Sequence, residues 1–227
     1  MKNKLLILFS LCLLFLFQKF KIEADPSFIF SWGTMYDEGF WQHNPRMKII
    51  YGFFTPDDFK MVYLGAPLFN NILYFFYKLF GVSLSAARYV SLISFWIILI
   101  MMFIIFNKKF GFEKSILIIL IFGFFHEILN FARWSTPNML EILFLVSIFF
   151  FYLFWQNSNK TLYIVISGVS YGLAILAKLT SILFVSPLTL FFYLEYKRGE
   201  IKQRNIMMFC LGTLIVMIPF TLLFVLP

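Results

Sequence analysis

The sequence predicts an all-helical, polytopic transmembrane bundle of about seven spans, and three observations carry that expectation. The 227 residues are 61% apolar, 22% aromatic and only 13% charged, whereas soluble domains average about 25% charged residues. The apolar residues fall in long uninterrupted runs of the length a bilayer demands, about 20 residues for 30 Å of hydrocarbon. The 19 Lys and Arg behind the net charge of +8 lie mostly in the short gaps between those runs. A nucleic-acid binder would gather them on one polar face, so the charge reads as a topology signal and nucleic acid is not an expected partner.

The runs can be taken in order. The first, Leu5 to Phe17, follows Lys2 and Lys4 and is short for a span. A cleaved signal peptide is its rival reading, but no convincing small-residue cleavage site follows, so it is taken as an anchor. The second runs from Tyr89 to Phe106, the third from Ser115 to about Asn130, and the fourth from Met139 to Trp155. Leu162 to Leu194 is broken only by Lys178, too long for one span and slightly short for two. The last runs from Ile206 to Leu226.

The distribution of positive charge decides the ambiguous stretch. With a cytoplasmic N-terminus and two spans hinged at Lys178, the inside holds Lys2, Lys4, Lys108, Lys109, Lys114, Lys160, Lys197, Arg198, Lys202 and Arg204. The short outer loops then hold only Arg133 and Lys178. A single span would place EYKRGEIKQR outside, against the same rule. The expected protein is therefore a multi-pass plasma-membrane protein, a single domain over 1–227, with residues 18–88 forming a long extracytoplasmic first loop. Cys12 and Cys210 sit inside apolar runs with no partner spacing; neither a metal nor a cofactor is expected.

The first loop is where chemistry has room. It holds Glu23, Asp25, Asp37, Glu38, Asp57 and Asp58, with Trp32, Trp41 and His43 near the central pair. Within it, Ala66 to Gly81 places apolar residues at helical spacing among too many polar ones to span, which predicts an amphipathic helix lying on the outer membrane surface.

Four stretches, in order, resemble one family. YDEGFW (36–41) supplies an acidic pair in the first outer loop. APLFNNILYFFYKLFGVSLSAARYVSLIS (66–94) has a Pro-Leu start, an FG turn and an Ala-Arg helix entry. FARWSTPNML (131–140) has an Arg and a Pro-Asn corner, and GVSYGLAILAKLTSILFVSPL (168–188) a GLA-x-L-x-K hairpin. Together they resemble the N-terminal part of a GT-C superfamily glycosyltransferase of the dolichyl-phosphate-mannose protein mannosyltransferase type, a group that includes the lipid A aminoarabinose transferases. Such enzymes continue through further spans, so the resemblance implies that the chain is a truncated version of a longer domain. Ala66 and Asn138 stand where the family often has Pro and Asp.

The resemblance implies inverting transfer of a sugar from a polyprenyl-phosphate donor, within membrane lipid, to an acceptor that could be a protein, a lipid or a glycan. A carboxylate would take the acceptor's proton, Asp37 first and Glu38 second. Cations would meet the departing phosphate, for which Arg88, Arg133 and Lys178 are the candidates on the outer face. Asp58 and the ionisable pair His126 and Glu127 near the end of the third run complete the substrate-side candidates. Each also has a structural reading: Arg88 as a headgroup anchor at the start of a helix, His126 and Glu127 bonded to each other or to Arg133, and Glu141 as a charge serving the start of the fourth span. A transporter subunit or an inactive assembly partner is the alternative class, opposed by the gathering of polar residues in an outer loop and by the lack of a visible repeat.

Overall fold

The computed structural model describes residues 10–16, 32–54 and 60–222. Everything described is helix or short connection. Residues 10–16 form α1. The first loop contains α2 (Trp32–Tyr51), α3 (Lys60–Gly65) and α4 (Pro67–Phe80). The remaining chain forms α5 (Leu84–Phe110), α6 (Phe112–Phe124), α7 (His126–Arg133), α8 (Asn138–Ser158), α9 (Thr161–Ala177), a 3-10 helix (Leu179–Phe184), α10 (Val185–Lys197) and α11 (Gln203–Phe220).

Four of these helices are long and apolar enough to cross a membrane: α5, α8, the 3-10 helix continued by α10, and α11. The bent pair α6 and α7 makes a fifth, and α9, at 17 residues, is a shorter apolar helix.

Local chemistry sets the boundaries. Pro67 at the first position of α4 fits a site whose N–H has no helical partner, and Gly81 leaves the helix at φ +81°. Ser83 caps α5, its Oγ accepting from Ala86 N at 3.2 Å. That cap moves the start of α5 upstream of the expected Tyr89, so Arg88 is not a terminal anchor but lies inside the helix, 1% exposed. Gly111 at φ +79° turns α5 into α6, and Asn159 at φ +53° ends α8.

The third expected span is not continuous. It bends by 67° between α6 and α7, at Phe125, whose extended backbone interrupts the helix. The break tilts α7 across the end of the bundle.

The contacts between helices also fix their directions. Lys108 near the end of α5 donates to Asn157 near the end of α8, so these two run side by side. Lys178 after α9 reaches Asn138 at the start of α8, and Tyr152 late in α8 reaches Glu195 late in α10. The stretch from 162 to 194 is thus two antiparallel helices joined at Lys178, whose backbone is extended.

The apolar core falls into two clusters. One joins Phe69, Leu73 and Tyr77 of α4 to Ala87, Phe95, Met139, Leu140 and Ala177. The other joins the later half of α8 to α9, α10 and α11 through Tyr152, Ile164, Tyr171, Phe192 and Phe209. Between α9 and α11 the backbones nearly touch: a Cβ on Gly168 would lie 1.9 Å from Phe209 O, and one on Gly212 would lie 2.2 Å from Val165 O. Small residues four apart allow such an approach where no hydrophobic force drives helices together in lipid. Gly168 and Gly172 provide it here, and Thr213 Oγ1 donates to Gly168 O at 3.0 Å.

Candidate functional site

The amphipathic segment expected from its spacing is α4. Phe69, Asn70, Leu73 and Tyr77 are buried on one side, while Phe75, Leu79 and Phe80 stay exposed. The side-chain amides of Asn70 and Asn71 turn back on their own helix, while Asn70 Oδ1 is buried without a partner among the described residues. Their amides donate to the carbonyls of Ala66 and Pro67 at 2.9 and 2.8 Å, one turn back, and Asn71 also donates to Tyr63 Oη at 3.0 Å. Tyr77 Oη donates to Gln42 Oε1 at 3.1 Å and ties α4 to α2. Burial pushes the Tyr77 hydroxyl above the ordinary phenol range, with the Arg46 charge opposing and the Glu38 charge adding to the shift, so it serves as a neutral donor.

The α2 helix brings Glu38 of the first loop to the bundle. Glu38 is 6% exposed. Its Oε1 accepts from Arg88 Nε at 2.9 Å and its Oε2 from Arg88 Nη2 at 2.6 Å, the two-pronged geometry in which guanidinium and carboxylate match best. Oε1 also accepts from the backbone N–H of Ser135 at 2.6 Å. One carboxylate therefore joins α2, α5 and the corner between α7 and α8. Asp37 is the residue before Glu38 on α2; its side chain and the whole of Asp58 lie outside the described residues.

That corner also holds buried hydroxyl groups. Ser135 and Thr136 are buried, and their hydroxyls make no hydrogen bond among the described residues. Ser91 Oγ donates to Thr136 O at 3.3 Å. Arg133, at the end of α7, is half-buried and close enough to Arg88 for the two charges to oppose each other.

Three residues further on, the corner meets the α9 break. Lys178 Nζ donates to Asn138 Oδ1 at 2.6 Å and lies 3.9 Å from Glu141 Oε2. Glu141 Oε1 accepts from Ser181 Oγ at 2.7 Å and Thr180 Oγ1 at 3.3 Å. Glu141 is therefore more than a charge at the start of α8, because it braces α8 against the 3-10 helix. Asn138, which stands where the family often has Asp, is an acceptor for Lys178.

The structure brings together Glu38, Arg88, Arg133 and Lys178 around one corner, and holds His126 and Glu127 apart from it. Both of the latter are exposed at the start of α7, with Asn130 Nδ2 lying 3.0 Å from His126 Nε2. Sequence reasoning missed Ser135, Thr136 and the pairing of Glu38 with Arg88. Their only signal was the Ser-Thr pair between Trp134 and Pro137.

The family model described as dolichyl-phosphate-mannose-protein mannosyltransferase matches residues 65–223, well over half of the chain. The chain belongs to that family. Membership carries membrane glycosyltransferase chemistry of the GT-C type, and the apolar helices agree with a protein embedded in a bilayer. The match begins after α2, so it takes in Arg88, Arg133 and Lys178 and leaves Asp37 and Glu38 upstream. No curated protein and no solved structure matches the chain.

Proposed function

We propose that the chain transfers a sugar from a polyprenyl-phosphate-linked donor to an acceptor hydroxyl at the outer membrane surface, with inversion, and that Asp37 is the base. The observation that carries this reading is the anchoring of α2 by Glu38. Both oxygens of Glu38 are committed to Arg88 and to Ser135 N–H, so it is poorly placed to accept a substrate proton. Its neighbour on the same helix is the remaining acid of the pair. Glu38 thus becomes the residue that positions the base, and gives up its place as second candidate for that task.

A donor of this kind has its tail in lipid and its phosphate at the surface. The polar corner offers Arg133, Lys178 and the Ser135 and Thr136 hydroxyls as donors to the leaving phosphate, while Arg88 is held by Glu38. Concentrated donors aimed at developing charge are the usual source of stabilisation in such transfers. In this arrangement α9 counts as a crossing, 10–16 belongs to a first span, and the seven-span topology places the corner and α2–α4 outside.

The test is transfer of radiolabelled sugar from a polyprenyl-phosphate donor in membranes containing the chain, at matched protein levels. Asp37→Asn should abolish transfer while leaving thermal stability unchanged. Glu38→Gln should lower transfer and stability together, because it loosens α2. Transfer by Asp37→Asn equal to the wild type would remove Asp37 from the role of base.

A further inference from the structure

At the end of the bundle away from Glu38, the last turns of α5 and α8 bound a groove of about 700 Å³. Its walls are apolar, with Ile104, Leu153 and Phe154 facing it, and its mouth is set with Lys108, Lys109 and Asn157. No carboxylate lines it. Lys108 donates to the neutral Asn157 amide oxygen, and Lys109 lies over the Phe110 ring, 5.5 Å from its centre. Among the described residues neither lysine is ion-paired.

Two uncompensated cations above an apolar trough match the division of a phospholipid into an anionic headgroup and an acyl chain. A second groove, of about 500 Å³ between α9, α10 and α11, has no charged residue in its lining. It provides the internal contrast, a space of similar kind with nothing to select a headgroup.

We infer that the groove between the ends of α5 and α8 is a binding site for an anionic phospholipid, its phosphate held by Lys108 and Lys109 and one acyl chain lying along Ile104, Leu153 and Phe154. This site sits at the opposite end from the polar corner and does not depend on the proposed transfer reaction. Bound lipid there would fill the space between two spans at the level of the headgroups, where long basic side chains reach the interface at little cost.

The experiment is native mass spectrometry of the detergent-purified chain titrated with phosphatidylglycerol or with phosphatidylcholine of the same acyl composition. The wild type should retain phosphatidylglycerol in preference. Lys108→Gln/Lys109→Gln should weaken that retention by about 25-fold, roughly fivefold for each lysine near an anionic headgroup. Leu153→Trp should weaken it as well, by filling the trough without changing charge. Lys197→Gln/Lys202→Gln, at the same end but away from the groove, should leave it unchanged. Equal retention of the two lipids, or an equal loss in the Lys197/Lys202 variant, would overturn the site in favour of a diffuse basic surface. Full competition by glycerol phosphate with Leu153→Trp unaffected would overturn it in favour of a phosphate contact without a lipid groove.

Discussion

Two buried glutamates hold opposite ends of the bundle in different ways. Glu38 receives a guanidinium on both oxygens and a backbone N–H, and its partner Arg88 is itself 1% exposed. Glu195 receives the neutral hydroxyl of Tyr152 at 2.7 Å and, at 3.4 Å, the guanidinium of Arg198, whose side chain is 68% exposed. Each carboxylate is shielded from water, but only Glu38 depends on a charge that is equally shielded. A buried ion pair adds little net stability, because two desolvations offset the attraction, yet removing one member strands the other. The Glu38 end is therefore brittle and geometrically exact in its demands, which suits a joint that must hold a helix against a site. The Glu195 end can lose a partner and still reach water or Arg198.

Substitutions test the difference between the two carboxylates, measured as unfolding free energy of the purified protein in detergent or bicelles. Arg88→Met should cost most, about 3–5 kcal/mol, because it leaves the Glu38 carboxylate buried without a counter-charge. Adding Glu38→Met to Arg88→Met should recover much of that loss. Failure to recover would mean that the pair stabilises outright and does not merely satisfy itself.

Next should come Gly168→Val, at about 1–3 kcal/mol, the usual range for overfilled packing. The added Cβ would meet a backbone carbonyl, which has no free rotation with which to give way. Its effect bears on α9 against α11, so it should add to that of Arg88→Met, and strong coupling between the two would show that the ends are not independent.

Tyr152→Phe should cost about 1.5–3 kcal/mol, one hydrogen bond to a charged acceptor. A cost equal to that of Arg88→Met would erase the distinction between the two carboxylates. Lys178→Met should cost about 1 kcal/mol or less, since its side chain is 29% exposed and water can replace part of what it gives Asn138 and Glu141. Arg198→Ala should change stability least, below about 0.5 kcal/mol, as expected for a solvated surface pair.

Much of the fold was legible because its signals are local. Apolar runs between charges gave α8 to within three residues at each end, α5 to within five and the start of α11 to within three, the expected end of the last run lying outside the described residues, and spacing within residues 66–81 gave α4. Where the reading departed from the structure, a non-local or subtle term intervened. Ser83 extended α5 backwards and drew Arg88 into the interior, and Phe125 divided the third run although it is neither Gly nor Pro. The 20-residue α2 was not foreseen, since its sequence has no apolar stripe and carries Pro45 in its interior.

Composition, periodicity and motif order were enough to give an all-helical membrane protein and its family, because they are properties of neighbouring residues. Which of the candidate residues meet is a matter of tertiary packing. Glu38 and Arg88 are 50 positions apart, and Glu38 and Ser135 are 97 apart. Nothing in either neighbourhood says that one carboxylate of an adjacent pair will be consumed in holding a helix. That is set by which side chains the packed helices enclose together, where a charge without a partner would be too costly to leave.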